Sequence, residues 1–124
     1  MSYEQTLHYL YHKLPLYSNI GKRAYKADLG NTVALCGFLN NPERRIKTVH
    51  VAGTNGKGST SHMLAAIFQQ AGYKTGLYTS PHLNDFRERI KINGEMIAQE
   101  MVVDFVERVQ TFSETIQPSF FELT

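Results

Sequence analysis

Residues 46–59 read IKTVHVAGTNGKGS, and this stretch decides the predicted fold. Its first half is short and rich in β-branched residues, which is typical of a strand, and it runs directly into glycines. Four apolar side chains then recur at helical spacing: Met63, Leu64, Ile67 and Phe68. The sequence therefore predicts a strand over 46–52, a glycine-rich turn, and a helix from Ser59 to Gln70 that Gly72 ends.

A second strand is predicted over residues 74–79, where Ser80-Pro81 ends it. Strand, loop, helix and strand together make a βαβ unit, in which the two strands lie parallel. Farther along, Asn93-Gly94 separates two short apolar runs, which predicts a hairpin because both residues tolerate positive φ. The predicted fold class is therefore α/β, a parallel sheet flanked by helices.

Helical spacing also appears on both sides of this unit, over residues 3–13, 29–39 and 99–116. Asp28 is positioned to cap the second of these helices, and residues 17–27 are predicted to form a loop. The chain stops on an apolar stretch without a closing element. We therefore expect a lead-in over 1–45 and a domain over 46–124 that is incomplete at its C-terminus.

Composition gives little electrostatic reason for nucleic-acid binding, because the net charge is only +2 and no dense basic run occurs. The basic groups at 22–26 and 44–47 are interpreted as solvated surface. Cys36 is the one cysteine, so an internal disulfide is excluded, and a buried, inert thiol is expected. No signal segment or membrane span is visible, which predicts a soluble, cytoplasmic protein.

The glycine loop has the chemistry of a phosphate site. Gly53, Gly56 and Gly58 allow close backbone approach, and Lys57 supplies a cation for the β and γ oxygens. The common pattern G-x-x-x-x-G-K-[ST] is not met, because Val51 replaces its first glycine and Gly58 separates Lys57 from the serine. A glycine-rich turn with an incidental lysine is the alternative interpretation.

The stretch from Val51 to Ser59 resembles the phosphate loop (P-loop) of the folylpolyglutamate/dihydrofolate synthase family, in the Mur ligase superfamily. With the additional Gly58 between lysine and serine, the loop resembles that of the folate branch of the superfamily. The segments 78–83 (YTSPHL) and 28–30 (DLG) resemble family segments as well, so the likeness extends from about residue 5 to the end. The resemblance implies a Mur-ligase-like ATP-binding domain.

The resemblance also implies roles for individual residues. ATP would be bound by Gly53, Thr54, Asn55, Gly56, Lys57, Gly58, Ser59 and Thr60, with Lys57 also catalytic. The substrate would be contacted by Asp28, Leu29, Gly30 and Asn31. His82 is assigned to the substrate site as well, where it could polarise a phosphate or orient Ser80. By resemblance Ser80 would hold magnesium, and from residue chemistry alone Ser59 and Thr60 offer hydroxyl ligands to such an ion, Ser59 being taken as the second ligand.

Each assigned role has a purely structural alternative. Ser80 is also a plain turn residue before Pro81, the stretch 28–31 is also a helix cap, and His82 is also a structural histidine. Arg87 and Arg89 suit either the steering of an anionic substrate or the surface of a hairpin. Glu122 suits either a substrate contact or the end of a strand.

The family resemblance implies an ATP- and Mg²⁺-dependent ligase that adds L-glutamate to dihydropteroate or folate through an acyl phosphate. Its partners would be small molecules, and the full-length protein is expected to be a monomer. A magnesium-binding glutamate, a modified lysine and a C-terminal domain of the family have no match here, so no catalysis is expected from these 124 residues alone. Another Mur-type amide ligase and a noncatalytic nucleotide-binding module are the alternatives.

Overall fold

The computed structural model of this chain describes residues 1–14 and 28–124. The loop predicted over 17–27, with its basic group, lies outside the described residues. The α-helices are α1 (Tyr3–His12), α2 (Gly30–Phe38), α3 (Lys57–Gln70), α4 (Gln99–Ile116) and α5 (Phe120–Leu123). Short 3₁₀ helices span Pro42–Arg44 and Phe86–Arg89, and the strands are β1 (Gly76–Tyr78), β2 (Ile90–Ile92) and β3 (Glu95–Met96). The chain divides into two units, Met1–Thr48 with Val102–Thr124, and Val49–Met101.

The first unit contains a helical core. Its buried apolar side chains are Tyr9, Leu10, Leu14, Leu35, Val102, Val106, Val109, Phe120 and Leu123. In α4 the buried positions recur at intervals of three or four residues, which is the period of one helix face. Phe38 of α2 stacks on Phe112 of α4 with ring centroids 4.6 Å apart. The helices predicted over 3–13, 29–39 and 99–116 are confirmed.

Capping boxes fix where two helices of this unit begin. Ser2 accepts the backbone N–H of Gln5 at 3.1 Å, and the Gln5 side chain accepts the N–H of Ser2 at 2.8 Å. Ser119 and Glu122 form the same reciprocal pair at the start of α5. The terminal stretch, for which the sequence predicted no closing element, is thus a short helix. Glu122 caps a helix and does not end a strand.

The second unit holds a three-stranded sheet in the order β1-β2-β3, and both pairings are antiparallel. The prediction of a parallel sheet built on a βαβ unit is therefore wrong. Tyr78 pairs with Ile90, so β1 meets the hairpin strand that follows it in sequence. Residues 46–52, predicted to be the first strand, form no ladder with any strand in the described part of the chain.

Residues 46–52 form no strand because a β-branched composition is not sufficient for one. The strand preference of β-branched residues reflects the fit of a side chain on a paired, half-buried pleated surface. A parallel strand further needs a partner and covered faces. Here Ile46 and Val49 are exposed and Val51 is half-buried, so the segment has the composition of a strand without the neighbours that make one.

The predicted hairpin is confirmed. Asn93 and Gly94 have φ of 51° and 81° between β2 and β3, as a two-residue turn requires. The Asn93 side chain accepts the N–H of Thr75 at 2.9 Å, and its backbone oxygen accepts the Gln69 side chain at 3.1 Å. This turn therefore links the sheet to the end of α3.

Helix α3 contributes no buried residue, although the sequence predicts an apolar face on it. Ile67 is 64% exposed and Met63 is 60% exposed. Across residues 49–101, all of which the structure describes, only Phe86 and Arg89 are buried, so the second unit has a thin core. Within residues 1–14 and 28–124, no helix combines the length and apolar character needed to cross a membrane.

Candidate functional site: the glycine loop and the segment after β1

The glycine loop leads straight into α3. Gly56 occupies the N-cap position in the left-handed region, with φ 79° and ψ 5°. A side chain at this φ is strained even though open space surrounds the position where a Cβ would stand. Glycine at 56 therefore allows the loop to turn sharply into the helix, which begins at Lys57, two residues earlier than predicted.

The Lys57 ammonium lies over the loop's own backbone. Nζ donates to the carbonyl oxygen of Gly53 at 2.6 Å and to that of Thr54 at 3.2 Å. Because the lysine is exposed, these bonds are made in competition with water, and little free energy is needed to exchange them. The Lys57 ammonium is therefore a mobile cation held beside residues 53 and 54 of the loop.

The start of α3 offers donors to an anion. The first bond of the helix runs from Thr60 N to Gly56 O at 3.0 Å, so the amides of residues 57–59 precede the helical ladder. No acidic residue occurs in the first turn, and the N-cap provides no side-chain bond. With the positive end of the helix dipole and Lys57, the charge at this point favours an anion.

The predicted ATP-binding residues thus form one continuous exposed segment, residues 53–60. The two predicted metal ligands lie in the same unit: Ser59 in the first turn of α3, and Ser80 just past β1. Both are exposed, and the Ser80–Pro81 peptide bond is cis. One turn beyond the loop, Nδ1 of His62 lies 2.7 Å from the Gly58 carbonyl oxygen, so His62 is tied to the helix backbone.

His82 lies in a local cluster after β1. Its Nδ1 accepts a hydrogen bond from Nε of Arg89 at 2.8 Å, and its ring meets Phe86 edge to face. Because Nδ1 accepts, a neutral His82 carries its proton on Nε2. Arg89 is only 6% exposed, so it is not the solvated hairpin charge that the sequence suggested.

Arg87 binds within the chain as well. Its guanidinium donates from Nε to Oδ1 of Asp85 at 3.1 Å and from Nη2 to Oδ2 at 2.7 Å. This fork-to-fork geometry is the strong form of an arginine–carboxylate pair. Arg87 therefore stabilises the 3₁₀ turn at 86–89, and it is not a free surface charge of the hairpin.

Glu88 organises the loop that carries Ser80 and His82, and sequence reasoning missed it. Its carboxylate accepts the backbone N–H groups of Leu83, Asn84 and Asp85 at 2.9, 2.9 and 2.7 Å. These three bonds, that of Leu83 foremost, lower the pKa of Glu88 below its ordinary value. The signal was present as Asp85-x-x-Glu88, the spacing of a capping box.

We expect Glu88→Gln to remove an acid-sensitive part of the stability. Because the pKa of Glu88 is lowered by folding, its ionised form stabilises the fold fully above the unfolded pKa of about 4.3. That contribution disappears as the pH falls toward the lower folded pKa. Urea unfolding at pH 7 and along a series below pH 4.5 should show a shallower pH dependence for the variant than for the parent chain.

Glu95→Gln is the matched control, because Glu95 is an exposed carboxylate on β3 in the same unit. It should leave both the stability at pH 7 and the acid slope near those of the parent. Equal acid slopes for Glu88→Gln and the parent chain would contradict the assigned role.

The predicted substrate-contacting stretch lies in the first unit, at the start of α2. Asp28 accepts the N–H of Gly30 through Oδ1 at 2.8 Å, while Leu29 takes the N-cap position. Leu29 is 72% exposed, which is high for a large apolar side chain. Asp28 thus supports the helix start from the position before the N-cap, and the Leu29 side chain remains exposed to solvent.

A pocket of about 200 Å³ lies between α3 and the sheet. Its polar lining comes from His62, Gln69, Thr75 and Lys91. None of the residues predicted to bind ATP, substrate or metal lines it. Its volume is below that of pockets that enclose drug-sized ligands, about 300–1,000 Å³. The glycine loop is therefore the better candidate site.

Cys36 is half-buried, and not fully buried as predicted, but its environment is that of an inert thiol. Partial burial, together with the charge of Glu43 and a hydrogen bond to it, raises the pKa of the Cys36 thiol. A thiol whose pKa is raised is mostly protonated at neutral pH, and the protonated form is a poor nucleophile.

The chain is similar in sequence to part of several known proteins of one family. No protein-family model matches the chain. It is 39% identical over 108 residues to a dihydrofolate synthase/folylpolyglutamate synthase of Bacillus subtilis, covering 82% of this chain and 25% of that protein.

Solved structures agree over nearly the whole chain. A folylpolyglutamate synthetase from Lactobacillus casei matches with a TM-score of 0.85 at 32% identity, over 99% of this chain and 31% of that one. A complex of folylpolyglutamate synthase with AMPPCP and folate matches with a TM-score of 0.82 at 31% identity, over 99% of this chain and 30% of that one. The chain spans about a quarter to a third of the length of these proteins. The chain is therefore identified as matching part of the length of proteins of the folylpolyglutamate synthase/dihydrofolate synthase family.

Proposed function

We propose that this chain supplies the phosphate-binding part of an ATP-dependent ligase. The ligase adds L-glutamate to dihydropteroate, to a folate, or to both. The observation that carries the proposal is the glycine loop, in which Gly56 turns the chain into α3 and Lys57 holds an ammonium over the loop. The similarity to a synthase solved with AMPPCP and folate supports both the nucleotide and the substrate class.

Binding of the triphosphate requires Lys57 to change partners. Its bonds to the carbonyl oxygens of Gly53 and Thr54 are exposed and are weaker than a bond between the ammonium and a phosphate oxygen. The amides at the start of α3 then hold the phosphate chain without reorganisation of the backbone. Gly53–Thr60 would be the residues that hold ATP.

Magnesium fits the side chains present, because hydroxyl oxygens are hard donors and Ser59 and Ser80 are both exposed in this unit. The described residues contain no cluster of three or more histidine, cysteine or acidic side chains. An ion held here would therefore keep most of its water ligands and use the triphosphate as a further ligand. Bound magnesium would neutralise charge on the phosphate oxygens.

The chemistry proposed for the ligase is phosphorylation followed by amide formation. The carboxylate of the pterin substrate attacks the γ-phosphorus of ATP, and an acyl phosphate and ADP result. The amino group of glutamate then attacks the acyl carbon, and phosphate leaves. Lys57 would stabilise the charge on the transferring phosphoryl group. Asp28, Leu29, Gly30, Asn31 and His82 would contact the pterin substrate, with the exposed side chain of Leu29 as an apolar surface for its rings.

Nucleotide selectivity tests the proposal directly. Titration of the 124-residue chain with fluorescent ATP and AMP analogues in MgCl₂ should show much tighter binding of ATP, because the loop holds the β and γ phosphates. A thermal-shift screen should then favour dihydropteroate or folate over a nucleotide-linked cell-wall peptide. Equal affinity for ATP and AMP would contradict the phosphate-loop assignment, whereas stabilisation by the peptide precursor would point to another Mur-type ligase.

A further inference from the structure

Two histidines on α1 form a pair that the proposed ligase chemistry does not use. His8 and His12 are four residues apart on a helix that spans Tyr3–His12, so their side chains project from the same face. Their ring centroids are 4.5 Å apart and the ring planes are inclined by 36°. Both side chains are exposed to solvent.

The spacing matches a known way of holding a metal on a helix. Histidines at i and i+4 place two imidazoles on one face, which is how a helical H-x-x-x-H segment binds zinc. An ion bound to two imidazole nitrogens lies about 2.0–2.1 Å from each of them. Rings this close bring one nitrogen of each within reach of the same ion after small rotations of exposed side chains.

The backbone that carries the pair is already ordered. The capping box of Ser2 and Gln5 fixes the start of α1, and Leu10 on its opposite face is 2% exposed. Metal binding therefore does not have to supply the free energy of helix formation, and that cost would otherwise weaken a two-ligand site.

The ligands select the class of ion. Imidazole nitrogens suit Cu²⁺, Ni²⁺ and Zn²⁺, whereas Mg²⁺ and Ca²⁺ prefer oxygen donors. No group of three or more metal-ligating side chains occurs within the described ranges. The remaining coordination positions would be filled by water, and Cu²⁺ would bind most tightly by the general affinity order of divalent ions.

We propose that His8 and His12 form a surface chelate on α1 for a divalent late transition ion. The pair shares no residue with the glycine loop, the proposed magnesium ligands or the proposed substrate contacts. It is therefore independent of the proposed function, and failure of either proposal leaves the other standing.

Calorimetric titration of the folded chain with CuCl₂ and NiCl₂ tests the site. His8→Ala and His12→Ala should each weaken Cu²⁺ binding by about a hundredfold, because each variant converts a two-point attachment into a single one. His50→Ala is the matched control, since His50 is exposed but has no histidine four residues away, and its affinity should equal that of the parent. MgCl₂ in large excess should not compete.

A second measurement does not depend on variants. In NMR spectra of the parent chain, substoichiometric Cu²⁺ should broaden the imidazole signals of His8 and His12 before those of His50, His62 and His82. Prior broadening at any of those three, or unchanged Cu²⁺ affinity in His8→Ala, would overturn the proposal.

Discussion

Replacing Lys57 by alanine should lower the affinity of the chain for ATP by about a hundredfold, since charged hydrogen bonds contribute about 1.5–3 kcal/mol each. In the free chain the ammonium binds two carbonyl oxygens of its own loop, at 2.6 and 3.2 Å. When a triphosphate is bound, the same ammonium is expected to contact the β and γ oxygens. The variant loses that contact, and fluorescence titration with an ATP analogue in MgCl₂ measures the loss.

Stability should change little in Lys57→Ala, because the two loop carbonyls are exposed and water replaces the lysine as their donor. Lys74→Ala is the matched control, an exposed lysine of the same unit outside the glycine loop. It should bind ATP as the parent does. If Lys57→Ala retained parental affinity, the loop would be a glycine-rich turn with an incidental lysine, the alternative that the sequence left open.

Phe120→Ala should destabilise the first unit by about 3–5 kcal/mol, the usual cost of truncating a fully buried aromatic side chain. Phe120 is 1% exposed, and its ring stacks on Tyr11 of α1 with centroids 5.6 Å apart. Removing the ring leaves a cavity between α5 and α1. A loss of this size is a large part of the 5–15 kcal/mol by which most domains are stable. Urea unfolding followed by circular dichroism should show the transition at a much lower urea concentration.

The adjacent residue provides the control. Phe121 is 54% exposed, so Phe121→Ala removes an aromatic ring from the same helix with little loss of burial. Its unfolding midpoint should stay close to that of the parent. Similar midpoints for the two variants would show that α5 does not pack in the core of the first unit.

Several structural features were readable from local sequence alone. Asn93-Gly94 predicted its hairpin, since the turn needs only two residues that tolerate positive φ. The period of apolar residues in 99–116 likewise predicted α4 with the bounds it has. Sequence reasoning missed the capping boxes Ser-x-x-Gln at 2–5 and Ser-x-x-Glu at 119–122, although each pair satisfies backbone groups within one turn.

Part of the candidate site was predicted from the sequence. Gly56 and Lys57 were predicted from residue chemistry, and the structure gives the glycine its left-handed φ and the lysine its place over the loop. The partners of His82 and Arg89 were not predicted, because a contact between residues seven apart through an irregular turn has no periodic signal. Burial of Arg89 likewise depends on the packing around it.

By itself, the sequence determined the four longer helices, the hairpin and the glycine turn, all of which depend on contacts within a few residues. Only the tertiary structure decided which strands pair and that Val49 and its neighbours form no strand. It also decided that the phenylalanine-rich stretch at 120–123 is a helix packed in the core of the first unit. Strand pairing and burial are contacts between segments distant in sequence, so β-branched composition shows that a segment can pair but not whether a partner lies beside it.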